Sequence, residues 1–511
     1  MGDAAPVSRS EAVALAGIVA GGAALRWAQA TSGGFWLDEA QAMDIVGLPT
    51  IRATIDFLVH HESHPPLYYL LMRWWTSWFS ATDSAVVVPG LLLGCLTVVL
   101  AWWFARTIAS RRAGLVAAVL VALSSSAILT DATARPYSLL RVVLLLTVMH
   151  LLRALERASG RALLGWAAGS VVLLYTHNLA LLPVVGMGLT GLWIIHRGES
   201  RLPLRALVVA GAGIAACWLP WLPGLLHQAQ HAGHMSPPEG LLERAVVSIV
   251  FVLPGLDRLA SLALWTGVAG VLILDWRGRN RRSSPPRLLN HAAVLIVGTA
   301  GITMVLAIAG SRVSNMLVPH ALTMLSPLIL VLVSTVLTAP RTDGRKLAVV
   351  ALGLALVLAV VGGVRTAREP RSSTALMAGV VSATARPGDL VLVMPSPLIS
   401  SFHRYYRGQA TVQAYPRGAA QIPAFFDDRV RRDTDTTIIR NTALLARQVL
   451  EQGGSVWQFA TDIPPIFRPP SLELEQMMTE VAGPPSQFEG ARTRASIEEI
   501  TLRVWKQRVD R

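Results

Sequence analysis

The stretch "PPLYYLLMRWWTSWFS" (residues 65–80) decides how this chain threads. Read as a membrane span, it moves every later loop to the opposite side. Read as a helix lying in the membrane surface, it leaves the parity of the chain unchanged. It falls short of the roughly 20 apolar residues a crossing needs, and it carries Trp74, Trp75 and Trp78, side chains that favour the interface. Tyr69, Arg73, Thr76, Ser77 and Ser80 recur at i, i+4, i+7, i+8 and i+11, on one helical face. The expectation is an amphipathic in-plane helix. The preceding "TIRATIDFLVHH" (50–61) repeats the pattern with Arg52, Asp56 and His60 at i, i+4 and i+8.

The surrounding chain is apolar. Of 511 residues, 53% are hydrophobic and 15% charged, against about 25% charged in a soluble domain. That balance points to an α-helical polytopic membrane protein. Eleven spans are expected, at about 11–28, 85–105, 113–130, 137–153, 162–177, 179–195, 205–222, 258–275, 289–310, 318–337 and 346–364. "AQA" at 28–30 mimics a signal-peptide cleavage site, but Arg26 within the run and the spans that follow favour a retained first helix. With the N-terminus cytoplasmic, Arg residues crowd the inside loops near 106–112, 153–161, 197–205, 277–287 and 341–346. The longer outside segments hold few, among them Arg26, Arg52, Arg73 and Arg135. The net charge of +14 is therefore largely a topological signal, and no nucleic-acid partner is implied. Residues 241–256 read as re-entrant or interfacial. Cys95 and Cys217 both fall within spans, giving neither a disulfide framework nor a zinc spacing.

Residues 1–365 thus form a transmembrane domain whose first external loop is 29–84. Residues 366–511 alternate strand-like "DLVLVMP" and "SVWQFAT" with helical segments, and "IEEITLRVWKQ" closes the chain. A small extracytoplasmic α/β domain with a partly parallel sheet is expected. It contains no Gly-rich phosphate loop, so no cofactor is implied.

The chemistry-bearing residues gather in the outside segments: "FWLDEAQAMD" (35–44), "HHESHPP" (60–66), "DATARPYS" (131–138), "YTHN" (175–178), "HQAQHAGH" (227–234) and "VPH" (318–320). Each has a plain alternative. Asp38 and Glu39 suit a helix N-terminus, and His64 before Pro65 and Pro66 suits the opening of the in-plane helix. Arg135 suits a tight turn, and "YTHN" reads as a turn. His227, His231 and His234 at i, i+4 and i+7 could share a helix face and bind a metal, but interfacial histidines in an external loop are the favoured reading. Together the residues fit sugar transfer from a lipid phosphate. Such transfer needs a base for the acceptor hydroxyl and cationic or hydrogen-bonding groups for the departing phosphate. Asp38, with Glu39 beside it, fits the base. His64 and Arg135 fit the phosphate side. One base suffices for an inverting displacement.

The apolar first span, "FWLDEAQA", the loop ending in "HPPLYYLL" and "DATARPYSLL" resemble the GT-C glycosyltransferases. More narrowly they resemble glycosyltransferase family 39, the protein O-mannosyltransferases, lipid A aminoarabinose transferases and bacterial relatives. "CWLPWLPGLLHQAQHAGH" is similar to a stretch of the bacterial branch. The resemblance implies a GT-C fold and a multi-pass enzyme of the bacterial plasma membrane. It implies transfer of a sugar, mannose or a pentose, from a polyprenyl-phosphate donor to a glycan, glycolipid or protein acceptor. Asp38 takes the place of the family's acid, and His64, Pro65 and Pro66 that of its His-Pro-Pro element. Arg135 and Tyr137 match its Arg-x-Tyr element. His320 stands where relatives carry Arg, which leaves the donor open, and a divalent cation also stays open. The competing readings are a lipid-linked sugar flippase or transporter, expected to place charged residues within the spans, and a non-catalytic envelope scaffold.

Overall fold

A computed structural model describes residues 6–231, 240–279, 291–339, 344–415, 436–461, 468–487, 495 and 497–506. Its chain begins with α1 (Arg9–Thr31), α2 (Leu37–Val46), α3 (Ile51–His61), α4 (Leu67–Trp78) and α5 (Asp83–Ile108). Next come α6 (Arg111–Ala122), α7 (Ser125–Asp131), α8 (Tyr137–Arg157), α9 (Gly160–Thr176) and α10 (Leu181–His196). They are followed by α11 (Leu204–Trp218), α12 (Leu222–His231), α13 (Leu241–Val247), α14 (Arg258–Arg279) and α15 (His291–Gly310). The helical region closes with α16 (Pro319–Leu322), α17 (Ser326–Thr338) and α18 (Arg345–Arg368).

All eleven expected spans are helical. Among the described residues eight helices are long and apolar enough to cross a membrane, and α6 with α7 makes a ninth as a pair bent by 58°. The 17-residue α9 and the apolar stretch Arg258–Leu274 of α14 fall just short by length. Large apolar side chains such as Val208 and Val209 on α11, and Val350, Leu354 and Val361 on α18, are exposed. An outward apolar face is what lipid contact requires.

The segment expected as one span over 113–130 is instead broken at Leu123–Ser124. Ser124 caps α7 by accepting from the Ala127 amide and donates to the Gly255 carbonyl. Arg26, expected in an outside segment, is wholly buried at this break. Its guanidinium bonds the carbonyls of Ala122 and Val121, at 3.0 and 3.2 Å, and the Asp131 carboxylate at 2.8 Å. Arg141 takes the other Asp131 oxygen. A carboxylate between two guanidiniums is tolerable in the interior because each charge is paired and hydrogen-bonded, and the carbonyls freed by the break gain donors.

Both in-plane helices form. The polar row on α4 is split: Tyr69, Arg73 and Thr76 turn toward the protein, while Ser77 and Ser80 stay exposed. Tyr69 is buried, and Arg73 donates to the carbonyls of Val46, Leu48 and Pro49 at and just beyond the end of α2. A helix C-terminus leaves carbonyls without intrahelical donors, and Arg73 supplies them. Leu71, Trp74 and Trp78 face outward instead, the apolar and aromatic surface expected at a membrane interface.

One end of the bundle collects the Arg-rich loops. Glu11 is held by Arg106 at 2.9 Å and Arg111 at 3.3 Å, and Glu199 lies 3.9 Å from His291. Arg281, Arg282, Arg287 and Arg341 lie outside the described residues. The other end carries α2, α3, α4 and a sheet.

That sheet has five strands in the order β2-β1-β3-β5-β4, with β1 Leu390–Met394, β2 Thr411–Ala414, β3 Ser455–Thr461, β4 Ser486–Gln487 and β5 Ile500–Lys506. β1 runs parallel to β2 and β3, and β5 is antiparallel to β3 and β4. β1 is buried along its whole length, as its unbroken "LVLVM" run predicts for a central strand covered on both faces. One face packs on α19 (Thr374–Thr384) and α20 (Ile399–Tyr405), with Leu37 of α2 in the same core.

Candidate active site

At the sheet end of the bundle a cavity of about 280 Å³ is lined by Asp38, Gln41, Glu62, Ser63, His64, Arg135, Tyr137, His177, Asn178, Gln228 and Asn315, with a few apolar residues. Asp38 and Gln41, three apart on α2, share the helical face that meets it. Glu39, about 100° round the same helix, turns away from the cavity lining. Its carboxylate is fully buried and accepts from Arg371 Nε at 2.9 Å, the Ala134 amide at 2.8 Å and the Trp36 amide at 3.3 Å. Of the expected acid pair, only Asp38 lines the cavity. Its side chain is 24% exposed and that of Glu39 0%.

Arg135 sits across from Asp38, with its Nη2 3.8 Å from the carboxylate and its Nη1 3.3 Å from the Asp38 carbonyl. Its Nε has no acceptor among the described residues. Burial pushes the Asp38 carboxyl above its ordinary range and Glu62 adds to this, while Arg135 and His64 pull it down without cancelling the rise.

His64 links two charged neighbours. Its Nδ1 lies 2.6 Å from Glu62 and its Nε2 3.2 Å from Arg135 Nη2. Arginine only donates, so at this contact Nε2 is the acceptor, and the imidazole orients Arg135. Burial works upward on Glu62, but the His64 hydrogen bond and then Arg135 outweigh it and hold the carboxyl below its ordinary range.

Pro65 and Pro66 lead into α4 directly after His64, and both are buried. Proline's fixed φ and missing donor suit the start of a helix. Tyr137 opens α8 and lines the cavity. His320 is not among the lining residues. It stacks behind them, its ring 5.8 Å from Tyr137 and 6.1 Å from Trp36. Of "YTHN", expected as a turn, Tyr175 and Thr176 end α9 and only His177 breaks the helix before Asn178 opens a short 3-10 turn. The His177 ring meets His64 edge-on at 4.8 Å, and Asn178 donates to the Ser63 carbonyl and to Gln228, each at 2.8 Å. Burial, then the neighbouring His64 and Arg135, keep His177 well below its usual range and neutral.

Glu62, His177, Asn178, Gln228 and Asn315 were not singled out as site residues from sequence. Glu62, His177, Asn178 and Gln228 do lie within the polar outside segments 60–66, 175–178 and 227–234, whereas Asn315 lies in none of them. His227 packs edge-on against His60 at 5.1 Å, and His234 lies outside the described residues. No group of three or more potential metal ligands occurs among the described residues.

A polytopic bundle, short helices at its cavity end and an α/β unit beside them give a fold of the GT-C type. Residues 63–223 match the family model described as dolichyl-phosphate-mannose-protein mannosyltransferase. The fold is similar to that of ArnT from Cupriavidus metallidurans, solved bound to undecaprenyl phosphate. That match has a TM-score of 0.52 and 13% identity, and it covers 96% of this chain and 97% of that one. It is also similar to the Archaeoglobus fulgidus oligosaccharyltransferase in the apo form, with a TM-score of 0.51 and 12% identity, covering 88% of this chain and 69% of that one. No curated protein sequence matches.

Proposed function

We propose that the protein is a glycosyltransferase that moves a sugar, mannose or a pentose, from a polyprenyl-phosphate donor to an acceptor hydroxyl at the outer face of a bacterial plasma membrane. The observation that carries this reading is the convergence of Asp38 and Arg135, 3.8 Å apart, on one cavity. Asp38 takes the proton from the acceptor hydroxyl as its oxygen attacks the anomeric carbon. The bond from that carbon to the phosphate oxygen breaks, and polyprenyl phosphate leaves with the bonding pair. Arg135 stabilises the charge gained by the phosphate, and a preorganised donor in a buried site is effective there. His64 and Glu62 hold the guanidinium in place, and Tyr137 adds a hydroxyl to the same wall. A single attack from the face opposite the phosphate inverts the anomeric centre. The upward shift of Asp38 suits it to this work, since a base with a higher pKa accepts a proton more readily. The lipid phosphate in the ArnT structure supports the donor class. A glycan, glycolipid or protein can present the acceptor hydroxyl.

The flippase reading predicts charged groups within the spans, and Arg26, Asp131 and Arg141 are such groups. They are completely buried and paired with one another and with backbone carbonyls. They hold the α6–α7 break and do not line the cavity.

The test uses membranes bearing wild type or Asp38→Ala, supplied with radiolabelled polyprenyl-phosphate sugars. Label leaves the lipid for a new product with wild type and not with the variant. Equal transfer by both removes Asp38 from the mechanism, and no transfer by wild type from any donor returns the flippase and scaffold readings.

A further inference from the structure

The first turn of α2, which carries Asp38, is held only in part by its own residues, through the bond from the Trp36 amide to Glu39. Its N-cap residue is Trp36, whose side chain makes no capping bond to the helix backbone. In most helices a Ser, Thr, Asp or Asn at that position fills this role. Here the acceptor comes from 461 positions along the chain. Glu498 receives the Leu37 amide at 3.3 Å on one carboxylate oxygen, and the Ser372 and Thr374 hydroxyls at 3.0 and 2.9 Å on the other.

Arg371 completes the attachment. Its Nε donates to Glu39 at 2.9 Å, and its Nη1 donates to the Ala30 carbonyl at 2.8 Å. The guanidinium and the Glu39 carboxylate are both wholly excluded from solvent. Arg371 therefore ties the last turn of α1 to the first turn of α2. The two tail segments are also locked together, because the Ile497 and Glu498 amides donate to the Arg371 carbonyl and the Ser373 amide to that of Glu498. Glu39 additionally accepts from the Ala134 amide, so the same joint fixes the residue preceding Arg135.

We propose that the C-terminal segment is a working part of the catalytic centre, in which Arg371 and Glu498 are positioning residues that set Asp38 against Arg135 through Glu39 and the Leu37 amide. The role of Asp38 rests on the transferase reading above; the clamp itself does not.

The test compares full-length wild type with Glu498→Ala, Glu498→Gln, Arg371→Met and, as a control on the sheet, Arg503→Ala, which breaks a 2.6 Å pair with Glu475. Two readouts are taken: release of label from radiolabelled polyprenyl-phosphate mannose in membranes, and amide hydrogen exchange over residues 34–46 in the purified protein. Glu498→Ala and Arg371→Met are expected to lower kcat roughly tenfold to a hundredfold, the scale of a small misplacement of a reacting group, with the donor KM unchanged. Exchange in the first turn of α2 accelerates while the sheet and the spans keep their protection. Glu498→Gln, which retains an acceptor oxygen, recovers part of the rate, and Arg503→Ala behaves as wild type. Unchanged exchange in α2 with unchanged transfer overturns the proposal. So does a loss of protection spread through sheet and spans in every variant, Glu498→Gln included. If wild type transfers nothing, the transferase reading falls and exchange alone decides: a selectively loosened α2 upholds the clamp, and an unaltered α2 removes it.

Discussion

At the scale of the residue, Asp38 and Glu39 are neighbours in the chain, but a helix turns consecutive side chains about 100° apart. One therefore faces the cavity and the other a buried arginine. Asp38→Asn keeps the shape and removes the base, so a loss of roughly a hundredfold to ten-thousandfold in kcat is expected, measured as transfer from the lipid-linked donor. Asp38 must be ionised to accept a proton, so activity rises with pH through its raised pKa and falls in acid. Arg135 draws that pKa down, and Arg135→Ala should move the acid limb of the pH–rate profile to higher pH as well as slowing the reaction. An acid limb that stays in place would separate the limb from Asp38. His64 illustrates how much of a role depends on contacts. Its type and the following prolines are evident in the sequence, whereas its contacts with Glu62 and Arg135 depend on the fold.

At the scale of the element, the α6–α7 break is fixed by charge. Gly94 of α5 lies against the Asp131 carboxylate, and a Cβ there would also stand 2.8 Å from Arg26 Nε. Gly94→Ala is expected to cost about 1–3 kcal/mol through overpacking. Gly17→Ala on α1, where nothing lies within 4 Å, should leave the melting temperature of the purified protein unchanged or slightly higher. The joint between α2 and the tail responds to pH. Burial pushes Glu498 up to about 7 from an ordinary 4.5, Asp38 adds to the rise, and the Thr374, Ser372 and Leu37 donors oppose it. A carboxyl whose folded pKa is raised contributes stability that is full below its unfolded value and is lost as pH rises through the folded one. Thermal stability should therefore decline between about pH 5 and 8. Glu498→Gln should flatten that decline, and an equal slope in the variant would assign it to another group. The hydrophobic period located α4, but it did not say which face turns inward, because the carbonyls that attract Arg73 lie beyond α2.

At the scale of the whole molecule, the Arg-rich loops lie at one end of the bundle and the cavity and sheet at the other. A membrane crossed with the basic end inside puts the site outside. In a background of Cys95→Ala and Cys217→Ala, a cysteine at Arg407, exposed on the sheet side, should react with an impermeant maleimide in intact spheroplasts. One at Arg112, exposed at the basic end, should react only after permeabilisation. The opposite pattern would invert the topology. Composition and the period of the apolar runs determined by themselves that this chain is a multi-span helical protein with in-plane helices and an α/β tail. Those signals are local, because each span and each strand must match its solvent along its own length. Two short motifs in the first loop and one after the third span marked Asp38, His64 and Arg135, since their chemistry is unusual beside a membrane, and the family resemblance added Tyr137. Only the tertiary structure decided that Glu39 faces away, that Arg26 belongs to a buried ion cluster, and that His177, Asn178 and Gln228 form the opposite wall. It alone decided that Arg371 and Glu498 reach back to the first loop. These are contacts between segments as much as 461 positions apart, and whether a polar side chain is paired, buried or free depends on what folding brings against it.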